Sequence, residues 1–403
     1  MSVGSLEGLR ETNRLRLIDA LRRSGSASRS QLVRETGLSR TTVASLVADL
    51  QARGVVVEDA PSGVPGRGRP AGVLRLDPSV GAAVGIHFDH NHLRVAVADL
   101  SSTVLAERAV DLDVDHAASS AIDAAVELVD AVLEEADIDR SRVIGAGTAL
   151  PGPVFRDGTV GSTTIMPGWA GLNPREELTQ RLGFPVAVEN DANLGALAEI
   201  SFGTARGFSD VLYIIVSSGI GAGVVLGGQL HRGLSGLAGE LGHVLVRPEG
   251  AVCRCGNRGC LETVASTDAV LDLLRPAHGP DLGIRDLVEL LAAGDHGARR
   301  VVMDAGREIG RVLAGLCNVL NPAAVIVGGD LSGDRDLLAG IQNSLGLYAL
   351  PSVVAALEVE AAVLGDRAEV LGALALVVGD TDRLRSAGLA AIAGPPALAT
   401  SSP

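Results

Sequence analysis

The residues best equipped for chemistry lie in the middle of the 403-residue chain, where His243 precedes Cys253, Cys255 and Cys260. One imidazole and three closely spaced thiols supply four soft ligands and leave no position open. That donor set builds a structural, tetrahedral zinc site rather than a catalytic one. The Cys-x-Cys-x4-Cys spacing carries Gly256 and Gly259, which let the backbone turn tightly around an ion. Clustered thiols of this kind fit a metal site better than a disulfide framework, and Cys317, on an apolar helical stretch, reads as core. Upstream, Glu189-Asn190-Asp191-Ala192-Asn193 follows a strand pattern at 185–188. Its side chains therefore emerge at the C-terminal end of a strand, where ligands collect in open α/β sheets. Ser218-Gly-Ile-Gly-Ala-Gly223 is a Gly-rich turn of the kind that approaches phosphates. His87, His90 and His92 suggest a second metal, but their spacing reads better as a solvated strand end and turn.

Composition excludes some chemistry. The chain has no Lys, so neither a Schiff base nor a phosphate-loop lysine is available. The formal net charge is -14, yet from Arg10 to Arg75 there are twelve Arg against six Asp and Glu. A basic head on an acidic body suits contact with nucleic acid at one end only. No charged-then-apolar leader opens the chain, and the apolar stretch at 211–228 is broken by Ser217, Ser218 and glycines. The expectation is a cytoplasmic protein with no membrane insertion.

The elements that must position these groups fall into two parts. In the head, a helical apolar face covers 12–23 (Leu15, Leu17, Ile18 and Leu21). Ser28 and Gln31 form a capping-box pattern that opens a second helix through Thr36. Gly37-Leu38-Ser39 is a tight turn, and Ser39 caps a third helix to about Arg53, with Val43, Leu46, Val47 and Leu50 on one stripe. Its other side presents Ser39, Arg40, Thr41, Thr42 and Ser45, short polar groups and one guanidinium suited to a major groove. Strands at 55–58 and 73–76 bracket a Gly- and Pro-rich segment in which Arg67 and Arg69 can enter a minor groove. The head, 1–76, is thus predicted to be a winged helix-turn-helix, with a flexible linker as the plainer reading of 61–70.

Behind it, strands at 82–88, 93–99, 104–112 and 143–150 with a helix at 117–136 make one α/β unit. A strand pair within 211–227, a helix at 298–320 and a strand at 324–327 begin a second. The predicted organisation is a first α/β lobe at 81–190 and a second at 191–383, with a cleft between them. The second carries the zinc site, and its C-terminal helix is free to pack back on the first. A disordered tail follows at 384–403.

The body resembles the ROK family of bacterial sugar kinases and sugar-responsive repressors. The Asn-Asp-Ala-Asn run, the Gly-Glu-x-Gly-His segment ending at His243 and the Cys-x-Cys-Gly-x2-Gly-Cys-x-Glu cluster ending at Glu262 match it in order. The resemblance implies a two-lobed actin-like, ribonuclease H-like sugar-kinase fold. It also implies that Asn190, Asp191, Glu240, His243 and Glu262 hydrogen-bond a sugar, with Gly152 bordering the same pocket. His243 would serve both zinc and sugar, so that zinc shapes the pocket without doing chemistry.

The resemblance leaves catalysis to be weighed. Asp191 stands where the family's kinases keep their general base. Their first phosphate loop, Asp-x-Gly-Gly-Thr, corresponds here to a stretch in which His87 replaces the Asp, and Asp89 and His90 replace the glycines. Side chains there obstruct a polyphosphate. The reading is a sugar-responsive DNA-binding regulator with a repressor's role and no enzymatic activity. It would be a homodimer or homotetramer on a double-stranded operator, answering to a sugar or sugar phosphate. The alternative is a sugar kinase with an accessory DNA-binding head.

Overall fold

The computed structural model describes residues 6–59, 72–161 and 164–380. Arg67 and Arg69 of the predicted wing and the predicted tail from 384 lie outside the described residues.

The head folds as its caps dictate. Helix α1 spans Leu6–Ser24, beginning earlier than its apolar face, and α2 spans Arg29–Thr36. The Ser28 hydroxyl accepts from the Gln31 amide and the Gln31 side chain accepts from the Ser28 amide, which completes the box. Gly37 takes the left-handed conformation (φ 68°) that ends α2. Helix α3, Arg40–Ala52, buries Val43, Leu46, Val47 and Leu50 beside Leu17, Leu21, Leu32 and Leu74. Full burial of each such side chain stabilises by about 1.5–3 kcal/mol, so this stripe fixes the pose of α3. Strands β1 (Ser26–Ser28), β2 (Val56–Asp59) and β3 (Val73–Leu76) form an antiparallel sheet in the order β1-β3-β2. Three small residues carry no alternation, which is why β1 is invisible in the sequence.

The body holds two five-stranded sheets of identical strand order. In the first, β4 (Ala82–Phe88), β5 (His92–Asp99), β6 (Val104–Asp111), β7 (Val143–Leu150) and β8 (Val186–Asn190) are ordered β6-β5-β4-β7-β8. Helices α4 (Ala118–Glu135) and α5 (Pro174–Leu182) belong to this part of the chain, and α6 (Asp191–Ser201) follows β8. In the second sheet, β9 (Val211–Val216), β10 (Ile220–Leu226), β11 (Gln229–Leu230), β12 (Ala324–Gly329) and β13 (Glu358–Ala361) are ordered β11-β10-β9-β12-β13. In each sheet an antiparallel side meets a parallel one, the arrangement expected of a duplicated ribonuclease H-like fold. Helices α7 (Glu262–Ala265), α8 (Thr267–His278), α9 (Ile284–Ala293), α10 (His296–Leu320), α11 (Arg335–Tyr348) and α12 (Pro351–Val354) precede the last helix, α13 (Ala368–Gly379).

Helix α13 packs on β4 and β7 of the first sheet and on α6. Close approach requires glycine at two points. A Cβ on Gly147 would sit 2.1 Å from the Ala373 carbonyl oxygen, and one on Gly372 would sit 1.9 Å from that of Leu194. The buried Glu199 on α6 ties the approach to α13 by accepting from the amides of Thr204, Val363 and Leu364. Head and body share one apolar cluster, in which Leu74 and Leu76 join Leu100, Ile144 and Leu374.

Candidate functional site

A cavity of about 450 Å³ opens between the two sheets, lined by strand ends and turns of both. Asn190 closes β8 and caps α6, accepting from the Asn193 amide (3.2 Å). Its side-chain amide donates to the Gly152 carbonyl (3.0 Å) and to the Asp191 carboxylate (2.8 Å). Beneath it, Glu189 is buried, paired with Arg232, and accepts from the Asn193 side chain (2.9 Å). The turn is therefore held from behind, and Asp191 faces the cavity. Burial, with Asp89 nearby, pushes its carboxyl up to about 6.

Across the cavity, Glu240 precedes a 3-10 turn at Leu241–His243, and burial with Asp191 and Glu262 nearby pushes its carboxyl up to about 7. His243 has its Nε2 3.7 Å from Glu240 and its Nδ1 3.6 Å from the Cys253 sulfur. The ring thus joins the cavity to the cysteine cluster. Gly152, Asn190, Asp191, Glu240, His243 and Glu262 all line this one cavity. Glu262 is already engaged. Arg254 grips it with Nε and Nη2 (2.8 and 3.1 Å), and the Ile220 amide donates to it (3.3 Å). Nothing in the local sequence marks Arg254, whose neighbours Cys253 and Cys255 draw the eye.

The ligand atoms of His243, Cys253, Cys255 and Cys260 lie within 4.8 Å of one another, the one such group among the described residues. The Cys255 and Cys260 sulfurs are 3.7 Å apart. Gly259, at φ 70°, leaves no room for a Cβ, which would meet the Arg247 carbonyl at 1.6 Å. These four residues could hold one metal ion with four ligands and no open position. The three upstream histidines serve otherwise. His90 meets Asp115 (2.9 Å) and His92 meets Asp111 (2.9 Å). His87 is buried at 9% exposure rather than solvated, because it closes a β4 strand covered on both faces.

Two of the three turns nearest this region carry a carboxylate, and the third is met by one from α7. At the β4–β5 turn the Asp89 carboxylate accepts from the His90 amide (2.7 Å), and the Asp89 amide donates to the His92 carbonyl (2.8 Å). At the Gly-rich turn Glu262 holds the Ile220 amide, and a Cβ on Gly219 would lie 2.4 Å from the Arg254 guanidinium. After Gly328 and Gly329, Asp330 accepts from the Ser217 hydroxyl (2.9 Å), and burial raises its carboxyl above the usual range.

On the head, Ser39, Arg40, Thr41 and Ser45 are exposed and Thr42 is half-buried. The Ser39 hydroxyl is committed to the cap, accepting from the Thr42 amide (3.1 Å) and lying 2.8 Å from both threonine hydroxyls. Arg40 makes no ion pair with a described residue.

Residues 83–380 match the family model described as ROK family. The chain belongs to the ROK family. Ahead of the ROK body, residues 9–68 match the model described as MarR family. The ROK chain is 27% identical to the xylose repressor of Bacillus subtilis (strain 168), over 94% of this chain and 98% of the repressor. It is 34% identical to the glucokinase of Thermotoga maritima, over 62% of this chain and 83% of the glucokinase. A crystal structure of a ROK family transcriptional regulator, a homologue of the Escherichia coli Mlc protein, matches with a TM-score of 0.77 at 27% identity. That match covers 95% of this chain and 98% of the regulator.

Proposed function

We propose that this ROK protein is a DNA-binding transcriptional regulator, a repressor in role, whose operator affinity is set by a sugar in the cavity. One observation carries the reading: an end rich in groups for sugar hydroxyls lies beside two turns, after β4 and after β12, that present the carboxylates of Asp89 and Asp330 where a kinase needs to hold phosphates. Two like charges 4 Å apart repel by about 4 kcal/mol at the effective dielectric of a protein surface. The His90 and Ile220 amides, which a polyphosphate would need, are also occupied by carboxylates of the chain itself.

At the sugar end, Asn190 and Asp191 can fork hydrogen bonds to neighbouring hydroxyls, with Glu240 and His243 opposite and Gly152 at the rim. Glu262 acts there paired with Arg254, which lines the same cavity. We assign the Cys and His cluster to zinc. A tetrahedron with Zn–S bonds of about 2.3 Å has edges of about 3.8 Å, close to the 3.6 and 3.7 Å separations within the cluster. Bound zinc supplies a rigid anchor that fixes the ring of His243, whose Nε2 faces the sugar.

The head places α3 in a major groove, with Arg40 and Thr41 toward base edges and Ser45 toward the backbone. A dimer or tetramer of the chain reads a partly palindromic site. Sugar binding closes the sheets on each other and moves the heads through their shared apolar cluster. No helix among the described residues is long and apolar enough to cross a membrane. The test is a footprint on the chain's own upstream region, repeated with a panel of sugars and sugar phosphates. A specific footprint altered by one of them is expected; no footprint, or one indifferent to every sugar, overturns the reading.

A second reading, a sugar kinase, is favoured by Asp191, which keeps a base's position with its carboxyl pushed up to about 6, and by the body's likeness to the Thermotoga maritima glucokinase. ATP-dependent phosphorylation of a hexose, abolished by Asp191→Asn, would establish it.

A further inference from the structure

The cavity extends well past the sugar end, and the proposed function leaves that extension unused. It reaches the β4–β5 turn and the first turn of α13, where His87, Asp89, Asp330 and Glu369 line it. Asn190 ends β8 and His87 is near the end of β4, with β7 between them in the sheet. Two strand spacings, about 9.5 Å, therefore separate the two groups.

Four observations describe what this extension can hold. First, His87 is 9% exposed, and its Nδ1 is buried with no hydrogen-bond partner while the residue lines the cavity. Burial pushes the imidazole down to about 4, so the ring is neutral, with one donor and one acceptor nitrogen. An unpartnered buried nitrogen calls for an explanation, and a ligand in the adjoining space, met on a small turn of the ring, supplies one. Second, the carboxyl of Glu369 is pushed up to about 8 by burial, so near neutral pH it carries a proton and can both donate and accept. Third, the arginine at this end has no charge to spare: Arg94, paired across the strands with His87, is held at 2.6 Å by Glu107 on one side and Asp366 on the other. An anionic group would find carboxyls and a committed guanidinium, whereas hydroxyls would find donors and acceptors. Fourth, about 450 Å³ falls within the roughly 300–1,000 Å³ of pockets that enclose drug-sized molecules, ample for more than one sugar ring.

We propose that the space beside His87, Asp89, Asp330 and Glu369 is a second sugar subsite, so that the effector is an uncharged disaccharide or longer glycan. One ring occupies the Asn190–Asp191 end and the next lies against His87 and Asp330. The inference rests on the sensor reading above and deepens it by naming the ligand class.

The test is calorimetric titration of the full chain with glucose, xylose, cellobiose, maltose, xylobiose and glucose 6-phosphate. At least one disaccharide is expected to bind about tenfold or more tightly than its constituent monosaccharide, a difference of about 1.4 kcal/mol. Glucose 6-phosphate is expected to bind no more tightly than glucose. His87→Phe should erase the disaccharide's advantage while the monosaccharide affinity stays within about twofold. Asp330→Asn, a near-isosteric change, repeats the measurement should His87→Phe fail to fold. A monosaccharide that binds as tightly as every disaccharide, or a phosphate ester that binds best, overturns the subsite and leaves the sensor reading standing. A chain that answers to none of the six sugars, and whose footprint none of them alters, overturns both.

Discussion

The turn after β8 and the turn after β4 leave the same sheet, yet they use their side chains in opposite ways. After β8, Asn190 and Asp191 keep their side chains toward the cavity, backed by Glu189, Arg232 and Asn193. After β4, Asp89 spends its carboxylate on the His90 amide. On the regulator reading proposed above, the contrast teaches how a nucleotide site would be lost with the fold intact. A phosphate loop works through bare backbone amides, so any side chain that satisfies those amides removes the function. A sugar site works through side chains, and survives as long as their supports do.

The comparison breaks most completely if the metal proves dispensable, because His243 would then have nothing to hold it against the sugar. Purified protein is expected to carry one zinc per chain by elemental analysis. Cys260→Ser should lose it, together with the sugar-dependent change in the footprint; full retention of that change removes zinc from the account.

Next in size is Asp191→Ala, which removes a cavity carboxylate and the bond it accepts from Asn190. Sugar affinity is expected to fall by about a hundredfold, on the order of 2.7 kcal/mol, with operator affinity in the absence of sugar unchanged. Equal loss of both would show that Asp191 supports the fold rather than the ligand.

A gain is expected where the other turn is restored. Asp89→Gly with His90→Gly frees the blocked amide and removes one carboxylate, so ATP binding should strengthen by about tenfold or more, in line with relief of a few kcal/mol of repulsion. No change in ATP affinity would show that the turn after β4 is not what excludes nucleotide.

The smallest expected effect concerns pH. Glu369 is buried among Asp191, Asp89 and Asp366, and its carboxyl is raised to about 8 from an ordinary 4.5. A carboxyl raised on folding contributes stability that is full below about 4.5 and is lost as pH rises through about 8. The wild-type Tm should therefore decline between pH 5 and 8.5 by several degrees more than that of Glu369→Gln, at about 2–4 °C per kcal/mol. Parallel curves would place the proton elsewhere.

Much of the molecule was legible in the sequence because its determinants are local. The capping box of Ser28 and Gln31, the cap at Ser39 and the stripe from Val43 to Leu50 act within one or two turns of chain. They fixed the head before any contact was seen. The strand before Asn190 and the spacing of Cys253, Cys255 and Cys260 are likewise short-range, and they pointed to the cavity end of β8 and to the Cys and His cluster. Tertiary structure decided everything that depends on distant partners meeting. Asp330 reaches Ser217 and Glu369 arrives on the last helix to face Asp191, because β9 pairs with β12 and α13 returns to the first sheet. Strand β1 exists only because β3 comes back to pair with it. His87 looked solvated in the sequence and is buried, since only the packed sheet shows what covers a strand end. A hydrogen bond or a cap leaves its mark in neighbouring residues; desolvation and the charges that shape this cavity are set by the whole fold.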